Sequence, residues 1–341
     1  MSALDNLERT PPLRMVTCGG CGVKNFIPGD TAPLSVVPCN RCGFSIMMPK
    51  MLRHFELQSI VGEGGMGTVF SAFDTILERE VAVKLMKPDL ANHPESLESF
   101  YREARACASL NHTNIIHIYS FEEFEGNRFL VMELADRGSL DLRIEKERHL
   151  PELEVLDIGI KVASALDTAL KHNLLHRDIK PGNILFNADG EPKLVDFGLA
   201  RTTDSNAEGD DAVWGTPYYI APEKIRRERE DFLSDLYSLA GTLYHALTGH
   251  VPFEAATVEE VIAAHIHTPL TPPNLVIPEI TAPSSDALVC AMAKNPEDRF
   301  GSYDEFIMAL TAARSQLLVS QLRASRDASH TRANGRSWWR R

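Results

Sequence analysis

The chain contains 341 residues, of which 44% are hydrophobic and 24% are charged, as in an ordinary globular protein that buries a sizeable core. Its net charge of −12 argues against general affinity for nucleic acid or for anionic membranes. The sequence lacks both a run of about 18 apolar residues and an N-terminal apolar h-region, so we expect no membrane span, no secretory signal and a cytoplasmic location.

Two C-x₂-C pairs mark the segment 15–50: Cys18 with Cys21, and Cys39 with Cys42. The 17 residues between the pairs lie within the spacing typical of a zinc site with four thiolates. Four thiolates leave no open position on the metal, so we expect one structural Zn²⁺. The segment resembles a zinc ribbon. A redox pair and two disulfides are weaker alternatives, because no thioredoxin-like pattern surrounds the cysteines and the cytoplasm disfavours disulfides.

A glycine-rich loop follows, between the strand patterns FELQSIVG and TVFSAFD. Gly62, Gly64 and Gly67 form G-x-G-x-x-G, which allows the backbone to approach phosphates closely. A dinucleotide-binding loop has the same spacing, but it should open a helix, whereas a strand at 68–73 continues here. The loop therefore predicts a hairpin folded over a nucleotide, with a plain glycine-rich hairpin as the alternative.

The later elements change from strands to helices along the chain. EVAVKLM and RFLVMEL are strand patterns that flank a predicted helix at about 95–110. Long amphipathic helices are predicted at about 151–172, 231–248 and 258–265. A small sheet followed by a larger helical body predicts an α+β domain with two lobes.

Four further motifs occur in order: VAVK at 81–84, HRDIKPGN at 176–183, DFG at 196–198 and GTPYYIAPE at 215–223. Together with the glycine loop, this series resembles the bacterial-type (eukaryotic-like) serine/threonine protein kinases. The resemblance implies ATP-dependent phosphorylation of serine and threonine hydroxyls on protein substrates in cytoplasmic signalling, with autophosphorylation. ATP and two Mg²⁺ ions are the implied cofactors.

The same resemblance implies a two-lobed protein-kinase fold, with a small β-rich N-lobe and a larger helical C-lobe, preceded by the small zinc ribbon. The expected segments are a flexible N-terminus at 1–14, the zinc-ribbon-like module at 15–50, the kinase domain at 54–316 and a basic, disordered tail at 317–341.

The resemblance assigns the catalytic roles residue by residue. Asp178 would orient the substrate hydroxyl and accept its proton, and Lys180 would contact the γ-phosphate. Lys84 would hold the α- and β-phosphates and pair with Glu103, because the rival Glu98 lies too early in the predicted helix. The implied Mg²⁺ ligands are Asn183 and Asp196.

ATP would be enclosed by the glycine loop and by the strand RFLVMEL, with Met132 as the gatekeeper. The implied ATP-binding residues are Gly62, Glu63, Gly64, Gly65, Met66, Gly67, Val69, Ala82, Lys84, Met132, Glu133, Ala135 and Leu185. The apolar members would be core residues in any fold, so they add little independent support.

Structural roles follow from the same motifs. Glu223 would pair with a buried Arg299, and Asp235 would anchor the catalytic-loop backbone. Thr216 would contact Asp178 and Lys180.

Arg177 precedes the catalytic base, and kinases with this arginine often require a phosphate on the activation segment. Residues 207–214 contain no serine or threonine and are acidic instead. We hypothesise that one of three acids pairs with Arg177 and partly replaces the phosphate: Glu208, Asp210 or Asp211. The alternatives are a solvated acidic loop and autophosphorylation at Thr202, Thr203 or Ser205.

Other functional classes are less favoured. A pseudokinase usually lacks at least one catalytic residue, whereas the set here is complete. A nucleic-acid-binding ribbon is disfavoured because only Lys24, Arg41 and Lys50 supply positive charge there, so a protein partner is expected. The tail carries arginines with Trp338 and Trp339, and it could contact an acidic partner, a membrane surface or the kinase domain itself.

Overall fold

The computed structural model describes residues 13–64, 67–87, 94–197, 201–202 and 217–335. The chain forms two compact units, one combining Met1–Glu98 with Ile118–Leu134 and the other combining Ser99–His117 with Ala135–Arg341. The first unit is rich in strands and the second is mainly helical. The prediction of an α+β chain with a smaller β-rich part and a larger helical part is therefore confirmed. Within the described ranges, no helix has the length and apolar character that crossing a membrane requires.

The first unit begins with two β-hairpins that carry the cysteine pairs. The strands are β1 (Leu13–Thr17), β2 (Lys24–Pro28), β3 (Val36–Pro38) and β4 (Ser45–Met47), with β1 paired to β2 and β3 paired to β4. Gly22 and Gly43 follow the two pairs with φ values of 70° and 72°. This left-handed conformation favours glycine, which explains why a glycine follows each C-x₂-C.

A six-stranded antiparallel sheet forms the rest of the first unit. Its strands are β5 (Lys50–Leu52), β6 (Phe55–Glu63), β7 (Gly67–Asp74), β8 (Arg79–Met86), β9 (Ile118–Phe124) and β10 (Asn127–Met132). Their order across the sheet is β5-β6-β7-β8-β10-β9. One face buries a cluster that includes Leu57, Phe70, Val81, Val83 and Phe129. Burial of each large apolar side chain stabilises the fold by roughly 1.5–3 kcal/mol.

The cysteine hairpins and the sheet share side chains through β4. Met47 belongs to the core of the sheet, whereas its neighbours Ile46 and Met48 belong to the core around the cysteines. Successive residues of a strand point to opposite sides, so a single strand supplies both cores. Leu34 also packs against the core of the sheet, and its N–H donates to the carbonyl of Met48 at 2.8 Å.

The described part of the second unit contains the larger helices and two short strand pairs. Helix α1 (Pro94–Ala108) includes the boundary between the units, and the helices that follow are α2 (Leu140–Glu147), α3 (Glu152–Lys171), α4 (Pro222–Ile225), α5 (Phe232–Thr248), α6 (Val258–His267), α7 (Pro273–Val276), α8 (Ala282–Ala291) and α9 (Tyr303–Gly335). The short strands are β11 (Leu174–Leu175), β12 (Ile184–Phe186), β13 (Pro192–Leu194) and β14 (Arg201–Thr202), in the pairs β11–β14 and β12–β13. Single 3₁₀ turns lie at Pro181–Asn183 and Pro296–Asp298.

Helix α5 is buried along most of its length. Asp231 caps its N-terminus by accepting a hydrogen bond from the N–H of Leu233 at 2.8 Å. The helix ends at Gly249, whose φ is 75° and whose added Cβ would lie 2.4 Å from the carbonyl oxygen of Arg148, so that only glycine fits. This fixed helix carries Asp235 into the interior of the unit.

Helix α9 corrects the expectation of a disordered tail from residue 317. The helix continues without a break to Gly335. Leu317 is still buried, and the following residues are rich in leucine, glutamine, arginine and alanine, which have high helix propensity. The polar, basic composition of the segment predicts disorder, whereas its helix propensity favours the observed helix.

Candidate active site and cysteine cluster

Asp178, Lys180 and Asn183 meet on the loop between β11 and β12. The Nζ of Lys180 donates to Oδ2 of Asp178 at 2.7 Å. The Nδ2 of Asn183 donates to the same oxygen at 3.0 Å and to the backbone carbonyl of Asp178 at 2.7 Å. The side chains of Asp178 and Lys180 remain 30% and 45% exposed. A partly exposed carboxylate held from two sides can receive the hydroxyl of a substrate.

Asp235 holds the backbone that precedes Asp178. Its two carboxylate oxygens accept hydrogen bonds from the N–H groups of His176 and Arg177, each at 2.7 Å. Burial raises the pKa of Asp235, and the two N–H donors act in the opposite direction because they stabilise the carboxylate. Arg177 has a φ of 68°, which is unfavourable for a residue with a side chain. The hydrogen bonds that Asp235 accepts offset that strain.

His176 connects the catalytic loop to the segment that contains Asp196. Its Nε2 donates to the carbonyl of Val195 at 2.9 Å, and its Nδ1 accepts from the N–H of Asp178 at 3.3 Å. The ring also packs edge-to-face against Phe197, with 4.6 Å between the ring centroids. In addition, the N–H of Val195 donates to the carbonyl of Asn183 at 3.0 Å. The two implied Mg²⁺ ligands therefore lie on neighbouring, hydrogen-bonded segments.

Glu223 and Arg299 form a buried bidentate pair, with both N–O distances at 2.8 Å. Their side chains are only 3% and 0% exposed. Ser234 donates to Glu223 at 2.7 Å, and Arg299 also donates to the carbonyls of Leu233 and Ala293. Burial alone would raise the pKa of Glu223, but the guanidinium of Arg299 and the Ser234 hydroxyl outweigh it, so that the pKa lies below its ordinary value.

The sheet brings four implied ATP-binding residues to one face. Lys84 lies opposite Val69 on β7, and Ala82 lies opposite Met132 on β10. Ala82 and Lys84 are two residues apart on β8, so all four share a face of the sheet. Val81 and Val83 point to the other face and join the buried core. Glu133 follows β10 directly, whereas Ala135 and Leu185 belong to the helical unit.

The glycine loop connects β6 and β7 as an antiparallel hairpin, as the sequence predicts. Gly62 lies opposite Val69 and Glu63 lies opposite Thr68, and the N–H of Gly64 donates to the carbonyl of Gly67 at 2.9 Å. A Cβ on Gly67 would lie 2.5 Å from the carbonyl oxygen of Leu85. Glycine is therefore required at this position by close backbone packing.

Some of the residues assigned from the sequence remain predictions. Glu103 lies on α1, as expected. The residues outside the described part of the chain are Gly65, Met66, Glu208, Asp210, Asp211 and Thr216.

The four cysteines of the two hairpins converge, with all Sγ atoms within 4.8 Å of one another. Cys18 and Cys42 are 3.7 Å apart at sulfur, and Cys21 and Cys39 are also 3.7 Å apart. Tetrahedral Zn²⁺ with Zn–S bonds of about 2.3 Å requires sulfur separations of about 3.8 Å. The cluster is therefore compatible with zinc.

Two hydrogen-bond donors contact the sulfur of Cys39, one of the four cysteines of the cluster. The N–H of Arg41 lies 3.4 Å from Sγ of Cys39, and the Nδ2 of the buried Asn25 lies 3.5 Å from it. The backbone N–H groups of Arg41 and Cys42 hold the pKa of Cys39 at about 6, which favours its thiolate, whereas hydrogen bonds with neighbouring cysteines, Cys21 first, and burial raise the pKa of Cys42. Asn25 was not identified from the sequence, because no spacing rule connects it to the cysteines.

Comparison with known proteins agrees with the geometry. The protein kinase domain family matches residues 55–309. A probable serine/threonine-protein kinase of Clostridium perfringens is 36% identical over 263 residues, covering 76% of this chain and 38% of its own length. PknE of Mycobacterium bovis is 36% identical over 260 residues, covering 76% of this chain and 46% of PknE. PknH of Mycobacterium tuberculosis is 34% identical over 266 residues, covering 78% of this chain and 42% of PknH.

The chain thus spans less than half the length of these relatives. The family match confirms the expected protein-kinase fold, with a β-rich N-lobe and a helical C-lobe. The chain belongs to the protein kinase family, within the group of bacterial-type serine/threonine kinases.

Proposed function

We propose that this chain transfers the γ-phosphoryl group of ATP to serine and threonine hydroxyls of protein substrates, including its own. The observation that carries the proposal is the Asp178 carboxylate, which Lys180 and Asn183 hold by hydrogen bonds and which remains open to solvent. In this proposal Asp178 is the acceptor for the hydroxyl proton, and Lys180, which is hydrogen-bonded to it, is the cation for the transferred phosphoryl group. Such positioning and charge neutralisation are what phosphoryl transfer requires.

Asp178 orients the hydroxyl and accepts its proton as the hydroxyl oxygen bonds to the γ-phosphorus, while the bond from that phosphorus to the β–γ bridging oxygen breaks and ADP leaves. Lys180 stabilises negative charge on the transferred group, and Lys84 stabilises the α- and β-phosphates. Because the amide nitrogen of Asn183 points at Asp178, its amide oxygen points away, and oxygen is the ligand type that Mg²⁺ prefers. The Asp196 carboxylate supplies the same ligand type. Bound Mg²⁺ neutralises charge on the phosphate oxygens.

Acid hydrolysis of the labelled product tests the choice of acceptor. The protein is incubated with [γ-³²P]ATP and a mixture of protein substrates, and the phosphoamino acids are then separated. We expect label in phosphoserine and phosphothreonine. Label in phosphotyrosine alone would overturn the assignment, and an absence of label in protein would favour a pseudokinase.

We also propose that the cysteine cluster holds one structural Zn²⁺ and that the hairpins around it contact a protein partner. Cys18, Cys21, Cys39 and Cys42 would fill all four positions, leaving none for substrate. The metal would replace the large core that so short a segment lacks. We propose a cytoplasmic location, where reduced thiolates remain available for metal.

Replacing Cys39 with serine is expected to abolish stoichiometric zinc binding and to lower the melting temperature of the β-rich unit. The expected decrease is on the order of 5–10 °C, because Met47 and Leu34 lose the hairpins that hold them against the sheet. Zinc content and thermal unfolding would be measured together. Cys290→Ser serves as the control, since Cys290 lies in the helical unit, and it should leave zinc content unchanged. Full zinc content in the Cys39 variant would contradict the proposed site.

A further inference from the structure

Arg177 carries a buried positive charge directly before the catalytic base. Its side chain is 11% exposed, and its Nε lies 3.8 Å from Oε2 of Glu230, whose side chain is 17% exposed. Both of these atoms are buried, and neither has a hydrogen-bond partner among the described residues. They therefore form an ion pair without a hydrogen bond. Burial of a cation without a counter-charge is costly, and the carboxylate of Glu230 lies close enough to offset the charge of Arg177.

Glu230 lies between α4 and α5, and Lys224 of α4 completes the group. The Nζ of Lys224 donates to the backbone carbonyl of Arg177 at 3.0 Å and lies 4.0 Å from Oε2 of Glu230. Asp235 holds the backbone N–H of the same arginine at 2.7 Å. Arg177 is thus fixed at its N–H, its carbonyl and its side chain by three charged residues from one stretch of chain.

We propose that Glu230 is a positioning residue that supplies the counter-charge for Arg177, so that the catalytic loop is held in place without a phosphoryl group on the activation segment. This inference rests on the proposed kinase activity. Arg177 and Asp178 share a peptide bond, so a shift of the arginine moves the base. A displacement of about 1 Å in a reacting group costs on the order of 100-fold in rate. Glu230 acts on kcat through Asp178 and does not touch substrate.

The test uses the full chain, produced together with a protein phosphatase and verified by mass spectrometry to carry no phosphate. Initial rates are measured against ATP concentration. We expect the unphosphorylated wild type to be active. Glu230→Gln should lower kcat by about 10- to 100-fold with little change in the KM for ATP. Glu230→Asp keeps the charge and should retain more of the activity than the glutamine variant.

Glu228→Gln is the matched control. Glu228 lies two residues earlier, is 55% exposed and pairs only loosely with Arg226 at 3.9 Å. It should leave kcat unchanged. Circular dichroism and ATP binding establish that each variant is folded.

A double-mutant comparison separates positioning from plain stability. In an Arg177→Leu background the carboxylate of Glu230 no longer faces the arginine and keeps only Lys224, at 4.0 Å, so adding Glu230→Gln should lower kcat much less than it does in the wild type. An equal decrease in kcat in both backgrounds, or a wild-type kcat in Glu230→Gln, would overturn the inference. A wild type that is active only after phosphorylation would overturn it as well, while leaving the kinase activity intact. Inactivity of the wild type in both states would instead refute the kinase activity.

Discussion

Replacing Asp178 with asparagine is expected to lower kcat for phosphoryl transfer by about 10²- to 10⁴-fold, the usual contribution of a positioned general base. The amide keeps the size of the side chain but cannot accept the proton of the hydroxyl, and it no longer balances the charge of Lys180 at 2.7 Å. The KM for ATP should change little, because the implied nucleotide contacts on the sheet are untouched. Steady-state rates with [γ-³²P]ATP provide the measurement.

Asp189→Asn is a suitable control for this experiment. Asp189 is exposed in the turn between β12 and β13, where its backbone N–H donates to Asn187 and its carboxylate has no place in the proposed chemistry. Its kcat should equal that of the wild type. Equal label incorporation by the wild type and by Asp178→Asn would show that Asp178 is not the base.

Replacing Glu223 with glutamine is expected to lower the free energy of unfolding by about 3–5 kcal/mol at neutral pH. The change leaves the guanidinium of Arg299, which is 0% exposed, without its counter-charge in the interior. For a unit of this size the melting temperature should fall by about 10 °C. Thermal unfolding followed by circular dichroism measures the effect. Glu297→Gln, at an exposed position two residues before Arg299, should have the same melting temperature as the wild type.

The effect of Glu223→Gln should also depend on pH. Arg299 holds the pKa of Glu223 below its ordinary value of 4.5, although burial opposes this shift. The contribution of the carboxylate is therefore complete above the unfolded-state pKa and is lost as the pH falls through the lower folded-state pKa. The difference in melting temperature between wild type and variant should shrink in acid. A difference that is constant down to pH 3 would contradict this account.

The sequence predicted well whatever depends on short motifs. The motif at 176–183 assigns Asp178, Lys180 and Asn183 to one loop, and in the structure their side chains are joined by hydrogen bonds. The long helices were also found within two residues of their predicted bounds; the segment predicted at 151–172 is the helix Glu152–Lys171. Strong periodicity of apolar residues determines such elements.

Contacts between distant residues were not predictable in the same way. The hypothesis that Glu208, Asp210 or Asp211 pairs with Arg177 concerns residues outside the described part of the chain and stays a prediction. Glu230, which lies outside the activation segment, is 3.8 Å from Arg177 in the structure. No periodicity or motif marks a pairing between residues 177 and 230; hydrogen bonds of the Arg177 backbone with Lys224 and Asp235 bring this stretch of chain beside the arginine. The sequence also did not predict that β4 contributes side chains to two cores. Side-chain alternation in so short a strand carries no distinct signal.

The alternation of Ile46, Met47 and Met48 has a practical consequence for shortening the chain. A fragment that starts at Phe55, where the family match begins, would lose Met47 and Leu52 from the core of the sheet. It would also lose β5, which pairs with β6, so that β6 would become the edge strand, paired only with β7. Exposed edges of this kind invite intermolecular strand pairing. The catalytic domain should therefore be more soluble when the cysteine hairpins are retained than when it is cut at the limit of the family match.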